Sequence, residues 1–476
     1  NYIITTSIDY GTDITPFLLQ YHTINKLSIN YDYVLKLHTK SDTEWRDKMI
    51  NIFLDGNLNK LLCIMDNNLQ IGMIGNEEYL IDNTDVFCKD ILNNYFKDLQ
   101  YKFIGGTCFL TRKSIINNVF NLNNNILKKL FLMNYYYDNY MFFNNSIIHA
   151  YERIFGCICY QYNLYILGIN KYKQVSKCLI YASHIYSKNI NDLELIYQYL
   201  NFFNKYVNKL IYVYSIDDTI NLTNNIFYNK IQLIKNIIIK KVDNIGRDLY
   251  KYKYAMEFVN NLNLSKNTKY ILTNDSYYLK HYPLDYFYLI DYCQTNKFIG
   301  FIDNKEFLYH YQSFLWCFDD EIKNYLISNI KIEGLSINNI IYNNEVKLSN
   351  YIINNYKSIT YYKNIKSITH CANINFSPIL FDLYKIFKYP ILKKRALYKL
   401  KNETTIQLWK NNNNYKNYSI FLKYLKIKKY IPSNFNYIKY KELNNDLPKD
   451  LNEHDCINHY INYGIIERRL YDNINN

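Results

Sequence analysis

The stretch NIGRDLYKYKYAMEFVNNLNLSKNTKYILTNDSYY, residues 244–278, decides how the rest of the chain is read. It opens on an Asn-x-Gly-x-Asp turn, continues with helically spaced apolar residues from Leu249, and ends its short run YILT (270–273) in Asn-Asp-Ser. Upstream, KCLIYASHIY (177–186) reads as a buried strand, and NDLELIYQYLNFFNKYV after it has the apolar spacing of a helix. KLIYVYS (209–215) and IIIKKVD (237–243) are further strand-like runs. Strand, helix, strand, strand, helix, strand is the order of an α/β domain with a largely parallel sheet. Ligands of such sheets sit at the carboxyl ends of the strands. Asn244, Gly246 and Asp248 follow one strand, and Asn274, Asp275 and Ser276 follow the next.

The pattern occurs twice. DYGTDITPFLLQYHTINKLSINYDYVLKLHTKSD, residues 9–42, again sets Gly-x-Asp before an apolar run that ends in small polar and acidic residues. Only NYIITTSI precedes Asp9, so the first domain is expected to lack its opening strands. The chain starts at Asn1 with no initiator Met, and is expected to begin inside a longer polypeptide.

At 476 residues the chain is long enough for two or three domains, each with its own core. Tyrosine reaches 55, but Asn, Ile, Lys and Tyr share AT-rich codons. A base-biased genome, such as that of a large virus or a parasite, accounts for most of this, so single Tyr and Asn residues carry little signal. The net charge of +14 suits phosphorylated ligands, nucleic acid or anionic membrane and selects none of them. KKRALYKLK (393–401) reads as a solvated helix face rather than a nucleic-acid site. The ten cysteines include Cys157 and Cys159 in IFGCICYQY, whose alternation suggests a strand with buried free thiols. No second pair stands at zinc spacing. The cysteine usage suits a reducing compartment. No apolar run nears the roughly 20 residues that cross a bilayer, and no signal peptide is visible. The expected location is cytoplasmic, with no transmembrane segment and with peripheral membrane contact left open. Past residue 400, LWKNNNNYKNYS (408–419) is a linker-like run, and residues 435–471 read as a small helical module with an Asn-Asp-Leu-Pro turn and a stop at Gly464.

A glycine after a strand lets backbone approach a ligand, and a nearby carboxylate can hold a ribose or base edge. An acidic loop such as Asn274-Asp275-Ser276 can hold a divalent cation, and the cation can neutralise a diphosphate. Transfer of a sugar from a nucleotide diphosphate needs that neutralisation and a carboxylate base near the acceptor hydroxyl. Each motif taken singly is equally a loop turn with an Asx cap. Both in order, twice, favour the ligand reading.

These residues resemble the nucleotide-sugar half of the GT-A glycosyltransferase fold, and more closely the rhamnan synthesis protein F type of glycosyltransferase. The first copy carries the likeness in DYGTDITPFL (9–18), DYVLKLHTKSDTEWR (32–46), GGTCFLTR (105–112) and HAYERIFG (149–156). The second carries it in NIGRDLYKYK (244–253), YILTNDSYY (270–278), GFIDNKEFLYHYQSFLWCF (300–318), NNEVKLS (343–349) and SPILFDLYKIFKYPILKK (377–394). The end module resembles a short repeat that accompanies some glycosyltransferases. The resemblance implies two tandem GT-A-like α/β domains, Rossmann-like with mostly parallel sheets, at 1–172 and 173–403, then a linker (404–433) and a helical module (434–476). It also implies that Asp9, Gly11 and Asp13, and likewise Asn244, Gly246, Arg247 and Asp248, line nucleotide sites. His38, Thr39, Lys40 and Asp42 in one copy, and Asn274, Asp275 and Ser276 in the other, would lie by the sugar diphosphate. His310 and Gln312 would close the second pocket. Glu152 and Glu345 are the candidate bases; each is alternatively a structural glutamate beside Arg153 or Lys347.

The first copy departs from the pattern at Asp9 and Thr12, and HTKSD lacks a plain Asp-x-Asp. There Lys40 is an alternative to a cation. In the second copy Asp275 is the candidate ligand for Mg or Mn. The expected activity moves a sugar, a deoxyhexose such as rhamnose, from a nucleotide-diphosphate donor to a glycan acceptor. The competing reading is a non-catalytic glycan-binding or scaffold protein that keeps the fold. Nucleic acid is not expected as a partner, because only charge and tyrosine content point to it.

Overall fold

The computed structural model describes residues 13–82 (except 40 and 55), 92, 96, 101–121, 147–186, 192–279, 282–304, 308–332, 336–363, 389–394, 437–444, 447 and 456. In chain order these begin with α1 (Ile14–Lys26), β1 (Tyr33–Lys36), α2 (Thr43–Asn51), α3 (Asn57–Asn67), β2 (Ile71–Asn76), β3 (Leu80–Asp82) and β4 (Lys102–Ile104). They continue with β5 (Phe109–Arg112), α4 (Lys113–Asn121), α5 (Ile147–Gln161), β6 (Tyr165–Ile169), β7 (Lys177–Ile185), α6 (Leu193–Phe203) and β8 (Lys209–Ile216). Next come α7 (Ile226–Gln232), β9 (Ile237–Lys241), α8 (Arg247–Val259), β10 (Lys269–Asn274), β11 (Tyr277–Leu279), α9 (Leu284–Tyr292) and β12 (Phe298–Asn304). The last are β13 (His310–Tyr311), β14 (Leu315–Phe318), α10 (Asp320–Asn329), α11 (Leu348–Asn355), β15 (Ser358–Tyr362), β16 (Ile391–Lys393) and α12 (Tyr437–Leu443). A π-helical segment, Ile341–Lys347, leads into α11. The fold class is α/β.

The chain divides into two compact units, each discontinuous in sequence. The first comprises Asn1–Cys178, Met256–Leu272 and Pro283–Tyr389, and the second Leu179–Ala255, Thr273–Tyr282 and Pro390–Asn476.

In the first unit one sheet has the order β1-β5-β2-β6. Its pairing is mixed: β5 runs antiparallel to β1 and β2, while β2 and β6 are parallel. Around β12, β15 pairs in parallel and β13 and β14 pair antiparallel. The core of the four-stranded sheet packs Phe17, Met73, Phe109, Phe155 and Ile158 together. Here the expected strand at IFGCICYQY is corrected, because the segment lies in helix α5. Residues 154–159 are buried without a break, and a helix covered all round offers no polar stripe to betray its period. Gly156 lets that helix come close, since a Cβ there would lie 2.2 Å from the Lys102 carbonyl oxygen on β4. Burial pushes the Cys157 thiol up to about 12 and raises Cys159 further. None of the eight described cysteines is in a disulfide.

Asp285, on α9, is fully buried in the same unit. Tyr361 donates to one carboxyl oxygen, and Oδ1 has no hydrogen-bond partner among the described residues. Burial raises this carboxyl to about 7 against the opposing bond from Tyr361.

The second unit is built on strand order β7-β8-β9, with β8 and β9 parallel. All nine residues of β7 are buried, which is why the strand reads as one apolar run. Tyr181 and Tyr212 are wholly buried here, so tyrosine serves the core and not a stacking surface. Helix α8 begins at Arg247, two residues before the expected start, and α7 was not anticipated. The latter has only seven residues, too few to display a period, and is started by Asn225, whose Oδ1 accepts from Phe227 and Tyr228 N–H. Strands β11 and β16 pair antiparallel. Of the run at 393–401, only Lys393, which ends β16, and Lys394, which is helical and ion-paired, are described; the rest of the expected helix face lies outside the described residues. Tyr440, Leu447 and Cys456 form a small cluster in the end module, and Leu447 N–H donates to Asn444 O at 3.0 Å; the other residues of the expected Asn-Asp-Leu-Pro turn lie outside the described residues. The 404–433 linker and Gly464 lie outside the described residues. Among the described residues no helix is long and apolar enough to cross a membrane.

Candidate functional site

In the second unit the two halves of the 244–278 stretch meet. Asn274, at the end of β10, donates from Nδ2 to Asp248 Oδ2 at 3.0 Å. Its own Oδ1 accepts from Ser276 N–H at 3.1 Å and Ser276 Oγ at 2.6 Å, closing an Asx turn. Asp248 stands in the first turn of α8, where the helix dipole favours a carboxylate. Before it, Gly246 and Arg247 both have positive φ, +66° and +56°. Glycine adopts that conformation freely, but for arginine it is uncommon and costs on the order of 1 kcal/mol. The Arg247 guanidinium is exposed and has no hydrogen bond or ion pair recorded among the described residues.

A relay of side chains stiffens the turn from below. Lys251 Nζ reaches Asn244 Oδ1 at 3.1 Å, and Ser215 Oγ reaches the same oxygen at 3.3 Å. His184 bonds Ser215 through Nδ1 at 2.7 Å and faces Asp217 Oδ1 through Nε2 at 3.2 Å. Burial, and then the Lys251 charge, lower the His184 pKa, so the neutral imidazole is favoured.

Asp275 is held by backbone: its N–H donates to Ala182 O at 3.2 Å and its Oδ2 accepts from His184 N–H at 3.4 Å. The residue keeps part of its surface, but its carboxyl is enclosed by protein. That burial raises its pKa to about 6; Lys394 opposes the rise, and Asp248 and Asp192 add to it. Asp192, Asp248, Asp275 and Lys394 therefore come from four separate segments of this unit to one place.

The first unit holds the other copy. Asp9, Gly11 and Lys40 lie outside the described residues. Asp13 accepts from Lys36 and Thr107, with His38 Nε2 3.7 Å away. Burial would raise the Asp13 carboxyl, but the Lys36 charge and the two hydrogen bonds outweigh it and bring it down to about 2. Glu152 accepts from Gly106 N–H, and His38 Nε2 contacts Gly106 O. Gly106 and Thr107 again have positive φ, +79° and +53°. Asp13, His38 and Thr39 line a cavity of ≈ 650 Å³ together with Phe17, Tyr21 and Tyr31. Asp42 is elsewhere engaged, capping α2 by accepting from Trp45 N–H.

His310, Gln312 and Glu345 form a separate cluster in the first unit. Ser313 Oγ donates to Glu345 Oε2 at 2.5 Å, and His310 Nε2 lies 3.9 Å from Glu345 Oε1. Glu345 sits in the π-helical segment. The Asn244–Ser276 group belongs to the second unit.

The sequence reading did not single out Asp192, His184, Ser215, Asp217, Lys251 or Lys394. His184 and Ser215 sit inside apolar strands and carry no local motif. Lys394 hides in a basic run, and only strand pairing brings it to the acidic loop.

No protein-family model matches the chain, and no curated protein matches it. Among solved structures, WbbM, a bifunctional glycosyltransferase in its apo form, is similar at 12% identity and a TM-score of 0.25. The match covers 74% of this chain and 77% of that one. At this level the likeness carries no argument about fold or activity.

Proposed function

We propose that the protein is a glycosyltransferase whose second unit binds a nucleotide-diphosphate sugar and whose product is a glycan extended by that sugar, a deoxyhexose such as rhamnose. The observation that carries this reading is the Asn274–Asp248 hydrogen bond of 3.0 Å. It joins the glycine-acid turn and the acidic loop into one surface small enough for a single donor molecule. The strained Gly246–Arg247 turn supports it, because strain of this kind persists where surrounding structure enforces it and clusters at ligand sites.

The chemistry follows from charge. The leaving diphosphate gains negative charge as the glycosidic bond to it breaks, so cations aimed at it stabilise the transition state. Arg247 and Lys394 are the cationic side chains of this site that keep exposed surface; Lys251 is buried beneath the turn. Asp248 and Asp275 would be the protein ligands of an Mg or Mn ion. Two carboxylates suit an ion that shares its remaining sites with substrate phosphates, although no group of three or more His, Cys, Asp or Glu that could hold a metal occurs among the described residues. When bound, the ion would supply charge neutralisation.

The first unit favours the second reading, retention of the fold for binding. Its Asp13 is neutralised by Lys36, and Glu152 is engaged with the Gly106 peptide. The cavity beside them combines aromatic rings with polar groups, a surface that suits a sugar ring.

A screen of nucleotide sugars for donor hydrolysis tests the proposal. Turnover with at least one donor, reduced about 100-fold or more by Asp275→Asn, is the expected outcome. Unchanged turnover in that variant removes the site assignment.

A further inference from the structure

We propose that Lys394 and Asp192 form a charge gate: Lys394 is the ammonium that takes the diphosphate, and Asp192 holds it while the site is empty. The inference rests on the donor reading above and adds two residues to it.

Lys394 is placed by backbone. Strand β16 pairs with β11 in the register Tyr277↔Lys393, and Lys394 N–H donates to Ser276 O at 2.9 Å. The residue is thus tied to the Asn274-Asp275-Ser276 loop and does not merely drift near it. Its Nζ lies 2.5 Å from Asp192 Oδ2 and 5.3 Å from the centroid of the Tyr278 ring, and its charge acts on the Asp275 carboxyl.

The degree of burial separates a gate from a structural pair. The Lys177–Asp291 pair in the first unit has side chains only 3% and 5% exposed and cannot exchange partners without opening the core. Lys394 and Asp192 are 14% and 24% exposed. That is dry enough for the charges to matter and open enough for an anion to reach them. Lys251, the other ammonium of the site, is fully buried and already engaged by Asn244 Oδ1 and Arg247 O. Lys394 is therefore the ammonium with an exchangeable acceptor. A diphosphate carries more charge than one carboxylate and offers more acceptor oxygens, so exchange of Asp192 for the ligand is electrostatically favourable. The step is an ion-pair exchange and makes or breaks no covalent bond.

The roles predict opposite effects from the two partners. Titration of the full chain with inorganic pyrophosphate, followed by calorimetry, is expected to show about tenfold weaker binding in Lys394→Met. Lys394→Arg should retain binding, which separates lost charge from lost folding. Asp192→Asn should tighten binding, because the competing anion is gone. A structural ion pair would instead weaken binding in both Lys394→Met and Asp192→Asn. That result, unchanged binding in Lys394→Met, or no pyrophosphate binding by the unmodified protein overturns the gate. Donor hydrolysis measured in parallel keeps the two ideas apart. Charge-dependent pyrophosphate binding without turnover of any nucleotide sugar leaves the gate standing and removes the transferase reading; turnover that Lys394→Met leaves intact does the reverse.

Discussion

Two carboxyls in the first unit, the partly buried Asp13 and the fully buried Asp285, respond to pH in opposite directions. The folded pKa of Asp13 is about 2, below the ordinary 3.8, so its ion pair contributes stability above pH 4 that disappears as pH falls toward 2. Thermal midpoints between pH 5 and 2 should show that loss, and Lys36→Met should abolish it while lowering stability at neutral pH by about 3 kcal/mol, since the carboxylate is left buried without its partner. Asp285 is raised from 3.8 to about 7, so the folded state binds its proton more tightly than the unfolded chain does. Its contribution is complete below pH 4 and is lost as pH rises toward 7, at no more than about 1.4 kcal/mol per pH unit. Asp285→Asn keeps an acceptor for Tyr361 and carries no charge. The variant should melt higher than the unmodified protein at pH 8, and the advantage should vanish near pH 4. A constant difference across that range would show that the Asp285 proton is not involved.

At the scale of elements, close approach of backbone decides most of what can be changed. Helix α5 lies against β4 through Gly156, where a Cβ would meet the Lys102 carbonyl at 2.2 Å. Gly156→Ala should therefore cost about 1–3 kcal/mol by denaturant unfolding, despite alanine's better helix propensity. One helical turn earlier, Glu152 holds the Gly106 peptide, so the same variant should raise proteolysis near Gly106. The alternation that made residues 154–162 look like a strand was misleading for a related reason: six consecutive covered residues leave no polar face, and length and partners alone separate helix from strand. Strands β7, β8, β9 and β10 were legible because each is a short β-branched or aromatic run bounded by polar turns. The turn after β9 and the loop after β10 were legible only as a pair, since each alone is an ordinary loop turn, and the Asn274–Asp248 hydrogen bond joins them. Lys394 and Asp192 were not legible, because their meeting depends on a pairing between residues 277–279 and 391–393, more than a hundred positions apart.

Across the molecule, the two candidate sites are built from like parts and set to different electrostatic states. In the first unit Asp13 is neutralised by Lys36; in the second, three carboxylates share one place with a partly exposed ammonium. Glu152→Gln is accordingly expected to lower the melting temperature and leave donor hydrolysis at the unmodified level, measured with whichever nucleotide sugar is turned over. A proportionate loss of turnover would move the reaction to the first unit. The thiols of α5 have a consequence for such experiments. A covered, protonated sulfur does not attack an alkylating reagent, so Cys157 and Cys159 stay silent while the first unit is closed. Their labelling rate then counts the excursions in which that core comes apart, and the polypeptide carries its own clock for opening.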